Sequence, residues 1–427
     1  MTESQLNEEE LILTDDINKI LAKKLKTTEF NIVSYKLEPF DEKIGLLGDH
    51  ANLKVVVVNL SKKEEREFYF FVKFFPFVDV SAVFARETGA FAKEIFTNEI
   101  LFSKIKNYGI EIIKQCVGEC YLTEAERLLV FDDLTKQGYE TLDKRKDFNF
   151  DMILIVLKSL AKLHASSLIY EEKRSEELGR EYRLIEDYRN EFEETFYNDR
   201  EGFINLQGVE ASIKAIFTEI DLFKHPSKLK SGKDFKSVAE KCCYKIYEMV
   251  KPSNKYRNVI SHGDLWSTNL LMKFNQHRTP VECKFVDFQM TRYAPPSHDV
   301  VSVLYLTTSR EFRKQHMYEL LGLYYTALES NLKLAGYDLK ALIPFGDFLQ
   351  NCEEQKAFAL AQTATYFQLV LVESDALKEF YANPTLSRHT FFEDRSPLVL
   401  AYVNKDEYYR KKLEESIEDL KDYCERL

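Results

Sequence analysis

Val259 to Phe274 reads VISHGDLWSTNLLMKF, and Lys284 to Met290 reads KFVDFQM after the polar run NQHRTP. The apolar, β-prone runs on either side of that polar segment predict two short strands joined by a turn containing Pro280. Gly263, Asp264 and Asn269 fall in the loop of this unit, and Asp287 follows eighteen residues after Asn269. Such a loop sets Asp264 and Asn269 at one edge of the hairpin, and the returning strand brings Asp287 to the same edge. Asp and Asn are ordinary turn formers when taken singly. Three such groups set among apolar runs and converging on one edge ask for a further reason.

Around the hairpin the pattern is helical. Upstream lie MILIVLKSLAKLHASSLIY (152–170), the charged RSEELGREYRLIEDYRNEFEETF (174–196) and SVAEKCCYKIYEMV (237–250). Downstream come YELLGLYYTALESNLKLAG (318–336), KAFALAQTATYFQLVLVES (356–374) and a charged helix from about 406 to 426. The first third differs. A helix over 15–25, with Ile17, Ile20 and Leu21 on one face and Thr14 as its N-cap, precedes three β-branched or aromatic runs at 31–40, 53–60 and 66–75. A long helix over 83–106 and a strand pair, GECYLT and RLLVFDDL, complete it. The expected fold class is α+β, with a β-rich N-lobe over 1–132 and a large helical C-lobe over 133–427.

Composition narrows the function. The 427 residues carry 59 Lys and Arg against 70 Asp and Glu, a net charge of −11, which disfavours binding to a nucleic-acid backbone. The first ten residues lack the basic start and apolar run of a secretory signal, and no uninterrupted apolar stretch reaches the length of a membrane span. A cytoplasmic monomer without a membrane span is expected. Seven cysteines, an odd count spread thinly, predict reduced thiols; Cys116 and Cys120 lack a second pair for zinc, and no structural metal is expected.

Phosphoryl transfer gives the hairpin spacing a meaning, because one carboxylate must meet the acceptor hydroxyl while a second carboxylate and an amide hold Mg²⁺ on the nucleotide phosphates. Asp264, Asp287 and Asn269 fit those roles, with His262 as a brace for the loop. The same chemistry asks for a strand Lys facing the phosphates. Lys73 stands alone among apolar residues in FYFFVKFFPF, although an edge-strand Lys that blocks aggregation would read the same way. Its partner should lie on the following helix, where Glu94 and Glu99 are about 140° apart, so that one at most faces it; Glu99 is favoured and Glu94 is the alternative. The turn Gly45–Asn52, with Gly48 and Asp49, is either a phosphate-covering loop or a plain β-turn. Phe131 and Asp132, in RLLVFDDL, are expected to offer backbone hydrogen bonds to an adenine edge.

VISHGDLWSTNLLMKF together with VDFQMTRYAPPSHD resembles the ecdysteroid kinase-like family of insects, related to choline kinases and aminoglycoside phosphotransferases. FFVKFFP resembles its Lys strand, GAFAKEIFTNEILF its Glu helix, LLVFDDLTKQGY its interlobe segment and LAKLHASSL its early C-lobe helix, so that the likeness spans most of 30–310. The resemblance implies a bilobal protein-kinase-like fold, ATP and Mg²⁺ as cofactors, and transfer of the γ-phosphate to a small-molecule hydroxyl, a steroid being the favoured acceptor. It implies Lys73 and Glu99 at the phosphates, Asp264 as base, Asn269 and Asp287 on metal, and Asp299 as a structural brace. Asp132 replaces the family's usual Glu, and GLLGDHAN departs from a glycine-rich phosphate loop. The reading from a different class is a nucleotide-binding pseudokinase; a choline or aminoglycoside kinase would instead need an acidic pocket.

Overall fold

The computed structural model describes residues 11–40, 48–59, 64–77, 79–373 and 383–427. Helix α1 (Thr14–Leu25) packs on a five-stranded antiparallel sheet of β1 (Phe30–Pro39), β2 (Asp49–Asn59), β3 (Glu64–Phe74), β4 (Cys120–Glu124) and β5 (Leu128–Asp132), in the order β1-β2-β3-β5-β4. Thr14 is the first helical residue rather than the cap, and the amide of Leu13 is held instead by the Asp16 carboxylate at 2.9 Å. The two-residue period of β3 divides its side chains. Phe70, Val72 and Phe74 join Ile17, Ile20 and Leu21 in the N-lobe core, whereas Phe71 and Lys73 line a cleft on the other face.

The helix expected over 83–106 is four pieces. α2 (Asp79–Glu87) stops at Thr88, Gly89 turns the chain with φ +61°, and α3 (Ala90–Ile95) runs into a π-helical turn (Phe96–Leu101) and α4 (Phe102–Asn107). A left-handed φ is open to glycine without a Cβ clash, so the break falls there.

β6 (Tyr139–Thr141) leads into the C-lobe, whose centre is α5 (Phe150–Leu178). By length and composition α5 could cross a membrane, but 72% of its most apolar window is buried inside the protein. The charged stretch 174–196 is not one helix. α5 ends at Leu178 with Gly179 left-handed, and after the single turn α6 (Leu184–Asp187) the chain crosses the molecule as an irregular strap. There follow α7 (Ile204–Leu222), α8 (Phe235–Tyr244) and α9 (Ile246–Met249). The hairpin region holds β7 (Val259–Ser261), β8 (Leu270–Phe274), β9 (Pro280–Phe285) and β10 (Arg292–Ala294), with β8 between β6 and β9, and β7 paired to β10. Pro280 opens β9 instead of sitting in the turn, a position where its missing N–H is tolerated. The rest is helical: α10 (Ser297–Thr307), α11 (Arg310–Leu334), α12 (Leu339–Leu342), α13 (Phe345–Val370), α14 (Pro384–Phe392), α15 (Ser396–Tyr402) and α16 (Glu407–Cys424). The molecule is thus an α+β fold with an antiparallel N-lobe sheet and a helical C-lobe.

Candidate active site

A cleft of about 290 Å³ runs between the sheet and the helical lobe, and its floor is the loop between β7 and β8. Gly263 makes that floor possible. Its φ is +82°, and a Cβ there would lie 2.2 Å from Met290 O and 2.4 Å from the Arg292 guanidinium. The chain therefore passes the following strand at a distance only glycine allows. One residue on, Asp264 is 5% exposed; Asn269 Nδ2 donates to its Oδ2 at 3.1 Å and to its carbonyl at 2.9 Å, while Oδ1 is buried without a partner. Burial first, and the charge of Asp287 second, push the Asp264 carboxyl up to about 7.

Asp287 has φ +68°, a left-handed conformation that Asp tolerates better than most residues. The turn aims Oδ1 at Lys73 Nζ, 2.5 Å away, and Glu94 Oε2 takes the same ammonium at 2.6 Å. Burial works against the charge on Lys73, but the two carboxylates outweigh it and hold the ammonium above its ordinary value. Glu94, not Glu99, is the partner. Glu94 sits in α3 at 1% exposure facing the cleft, whereas Glu99 lies on the π turn and accepts from Thr123 of β4 at 2.5 Å. The spacing argument allowed one of the two, and the path of the helix over the sheet selects the earlier.

His262 bridges the two halves of the floor. Its Nδ1 accepts from the Asp264 amide at 3.3 Å and its Nε2 donates to Val286 O at 2.8 Å; burial lowers its pKa, which suits a neutral ring with one donor and one acceptor. Asp299, at the start of α10, accepts from the amides of His262 (2.6 Å) and Gly263 (2.9 Å) and contacts His164 Nε2 at 3.2 Å. Burial opposes the ionised form, but the His164 bond and the neighbouring imidazoles bring its carboxyl down to about 2.

Gly45, Leu46 and Leu47 lie outside the described residues. Gly48 lies against the Lys73 side chain, where a Cβ would come within 3.2 Å of Cε, and the Asp49 carboxylate turns away to the Phe77 amide at 2.8 Å. Phe131 and Asp132 both line the cleft, but the Asp132 amide is spent on Glu119 O and its carboxylate on Lys24. Its N–H is therefore not offered to a base, because β4 runs beside it.

Two residues of the site had no place in the motif. Arg292 in β10 is 2% exposed, donates Nη1 to Gly263 O at 3.1 Å and forks onto Glu194 at 2.6 and 3.4 Å. Glu194 also accepts from the Phe196 and Tyr197 amides, each at 2.8 Å. The only signal for Glu194 was its setting among Phe192, Phe196 and Tyr197 in a stretch otherwise dense in charge.

The arrangement fits a metal–nucleotide. Glu94 and Asp287 share one ammonium, and the Asp264 carboxyl is close enough to Asp287 to be raised by its charge. The bonds from Asn269 Nδ2 fix that amide and leave Oδ1 as its acceptor, and Asp287 has a second carboxylate oxygen beyond the one that meets Lys73. Two hard oxygen donors are what the protein usually gives Mg²⁺ when phosphates and water supply the rest. Beyond the floor the cleft turns apolar, with Phe84, Phe196, Val209, Trp266, Phe391 and Phe392 among its lining residues.

The ecdysteroid kinase-like family model matches residues 51–337. No curated protein matches the chain. Among solved structures, the GDP and kanamycin complex of APH(2″)-IIia is similar at 12% identity, covering 86% of this chain and 93% of that one with a TM-score of 0.37. The GDP complex of wild-type aminoglycoside 2′-phosphotransferase-IIIa is similar at 11% identity, covering 95% and 99% with a TM-score of 0.39.

Proposed function

The chain belongs to the ecdysteroid kinase-like family, and from that premise we propose that it transfers the γ-phosphate of ATP to a hydroxyl of a small apolar acceptor, a steroid such as an ecdysteroid being favoured. The observation that carries the reading is the position of Asp264. Its partnerless Oδ1 lies at the floor of a cleft that has the Lys73–Glu94–Asp287 cluster at one end and an aromatic chamber at the other. Bound ATP with Mg²⁺ supplies the phosphoryl group and the neutralising charge. Lys73 would bind phosphate oxygens, Asn269 and Asp287 would hold the metal–nucleotide, and Asp264 Oδ1 would receive the acceptor's hydroxyl proton as the phosphoryl group passes to that oxygen and ADP leaves. The apolar walls keep water from competing with that hydroxyl. A polycationic acceptor such as an aminoglycoside would want acidic walls, whereas the lining carboxylates (Glu94, Asp132, Asp133, Asp264 and Asp287) belong to α3, the interlobe segment and the hairpin; aromatic walls also hold a quaternary ammonium, so choline is decided by the acceptor panel.

The test is phosphoryl transfer from ATP to a panel of an ecdysteroid, choline and an aminoglycoside, using wild type and Asp264→Asn. Transfer to the ecdysteroid is expected, and kcat in Asp264→Asn should fall by roughly two to four orders of magnitude with ATP binding retained. Transfer to choline and to no steroid would overturn the acceptor, and ATP binding without turnover on any hydroxyl would leave a nucleotide-binding pseudokinase.

A further inference from the structure

One charged side chain in the aromatic chamber has no role in phosphoryl transfer as described. Arg395, just ahead of α15, is 5% exposed and lines the chamber beside Gly208, Ser212, Thr365 and Leu369. Its guanidinium donates only to neutral oxygens: Nη1 to Thr365 O at 2.9 Å and Gln368 Oε1 at 3.4 Å, and Nη2 to Gly208 O at 3.4 Å. Nε has no acceptor, and among the described residues no carboxylate pairs with the group. Gln368 separates it from Glu219, whose Oε1 takes the Gln368 amide at 2.9 Å and whose Oε2 is also without a partner. Burial pushes the Glu219 carboxyl well above its usual range, and its one hydrogen bond goes to Gln368 and not to the arginine. Burial also lowers Arg395, to about 10, which leaves it charged.

A buried cation without a counter-charge is costly, and proteins keep one where a ligand completes it. A guanidinium can meet a planar carboxylate through two parallel N–H bonds, and Nε is the donor of Arg395 left unused. We propose that Arg395 forms a carboxylate subsite in the chamber, so that the preferred acceptor is a hydroxylated apolar acid with its hydroxyl at Asp264 and its carboxylate at Arg395. The hydroxyl half of this statement rests on the kinase reading; the carboxylate half does not.

Lithocholate, a rigid steroid with a hydroxyl at one end and a carboxylate at the other, and its methyl ester form a matched pair of probes. Their binding to the full chain, with a non-hydrolysable ATP analogue and Mg²⁺ filling the nucleotide end, is measured by calorimetry. Wild type should bind the acid roughly tenfold more tightly than the ester, and Arg395→Met should bring the two to parity while holding ester affinity within about twofold. If Arg395 served only to tie α7 to α13, the substitution would weaken both probes alike, and that result would overturn the subsite. Equal affinity for acid and ester on wild type, or no binding of the acid, would overturn it without any variant, so the test survives a variant that does not fold. Transfer from ATP to the same probes separates the two readings. Preference for the acid without its phosphorylation supports the subsite and leaves the kinase reading to the acceptor panel, and equal binding with equal phosphorylation overturns the subsite and supports the kinase reading.

Discussion

Lys73 shows how one buried ammonium links fold to chemistry. It reaches the cleft because β3 alternates its side chains, and it stays charged because Glu94 and Asp287 lie at 2.6 and 2.5 Å. Lys73→Met should abolish transfer and also destabilise the protein by about 3 kcal/mol, since it leaves Glu94 buried and unpaired. Adding Glu94→Gln should recover much of that stability in urea denaturation and none of the transfer. The two candidate glutamates separate in the same assay. Glu94→Gln should lower kcat at least about tenfold, whereas Glu99→Gln, which loses only a surface bond to Thr123, should stay within about twofold of wild type. Equal effects of the two substitutions would show that the ion pair seen here does not position Lys73.

The loop between β7 and β8 is held by elements on both sides. The first turn of α10 presents Asp299 to two loop amides, and β10 presents Arg292 to the carbonyl between them and Asp264. Because the Asp299 carboxyl is lowered from its ordinary 3.8 to about 2, its stabilisation is fully present above pH 4 and is lost as pH falls toward 2. The difference in unfolding free energy between wild type and Asp299→Asn should therefore be on the order of 2 kcal/mol at pH 6 and shrink below pH 4. A difference independent of pH over that range would mean that the ionised form is not what the loop uses. Glu194→Gln tests the opposite side. It should lower kcat with little change in the KM for ATP, because the strap positions the loop and does not touch the nucleotide.

The aromatic chamber belongs to the whole molecule. Phe84 of the N-lobe helix α2 packs edge-on against Phe196 of the strap at 5.7 Å and at a 33° tilt against Phe392 of α14 at 6.2 Å, and Lys93 of α3 donates to Glu193 O at 2.7 Å. Phe84→Ala should raise the acceptor KM about fivefold and leave the KM for ATP near wild type, since only the chamber wall is thinned; parallel changes in both would mean that Phe84 holds the lobes together. Much of this architecture could be read along the chain. Period-two strands, a lone Lys in an aromatic run, and Asp, Asn and Asp at hairpin spacing are local patterns, and local backbone preference with burial is enough to fix them. The choice between Glu94 and Glu99 could not be read, because helical period gives the angle between two side chains and not the direction of the sheet that meets them. Glu194 was equally hidden. A charged stretch looks like a solvated helix until Arg292, 98 residues later, is folded against it. The sequence determined which elements form and which polar groups share the hairpin edge. Only the tertiary structure decided which buried charges meet and which, like Arg395, are left without a partner, because pairing depends on contacts between segments far apart in the chain.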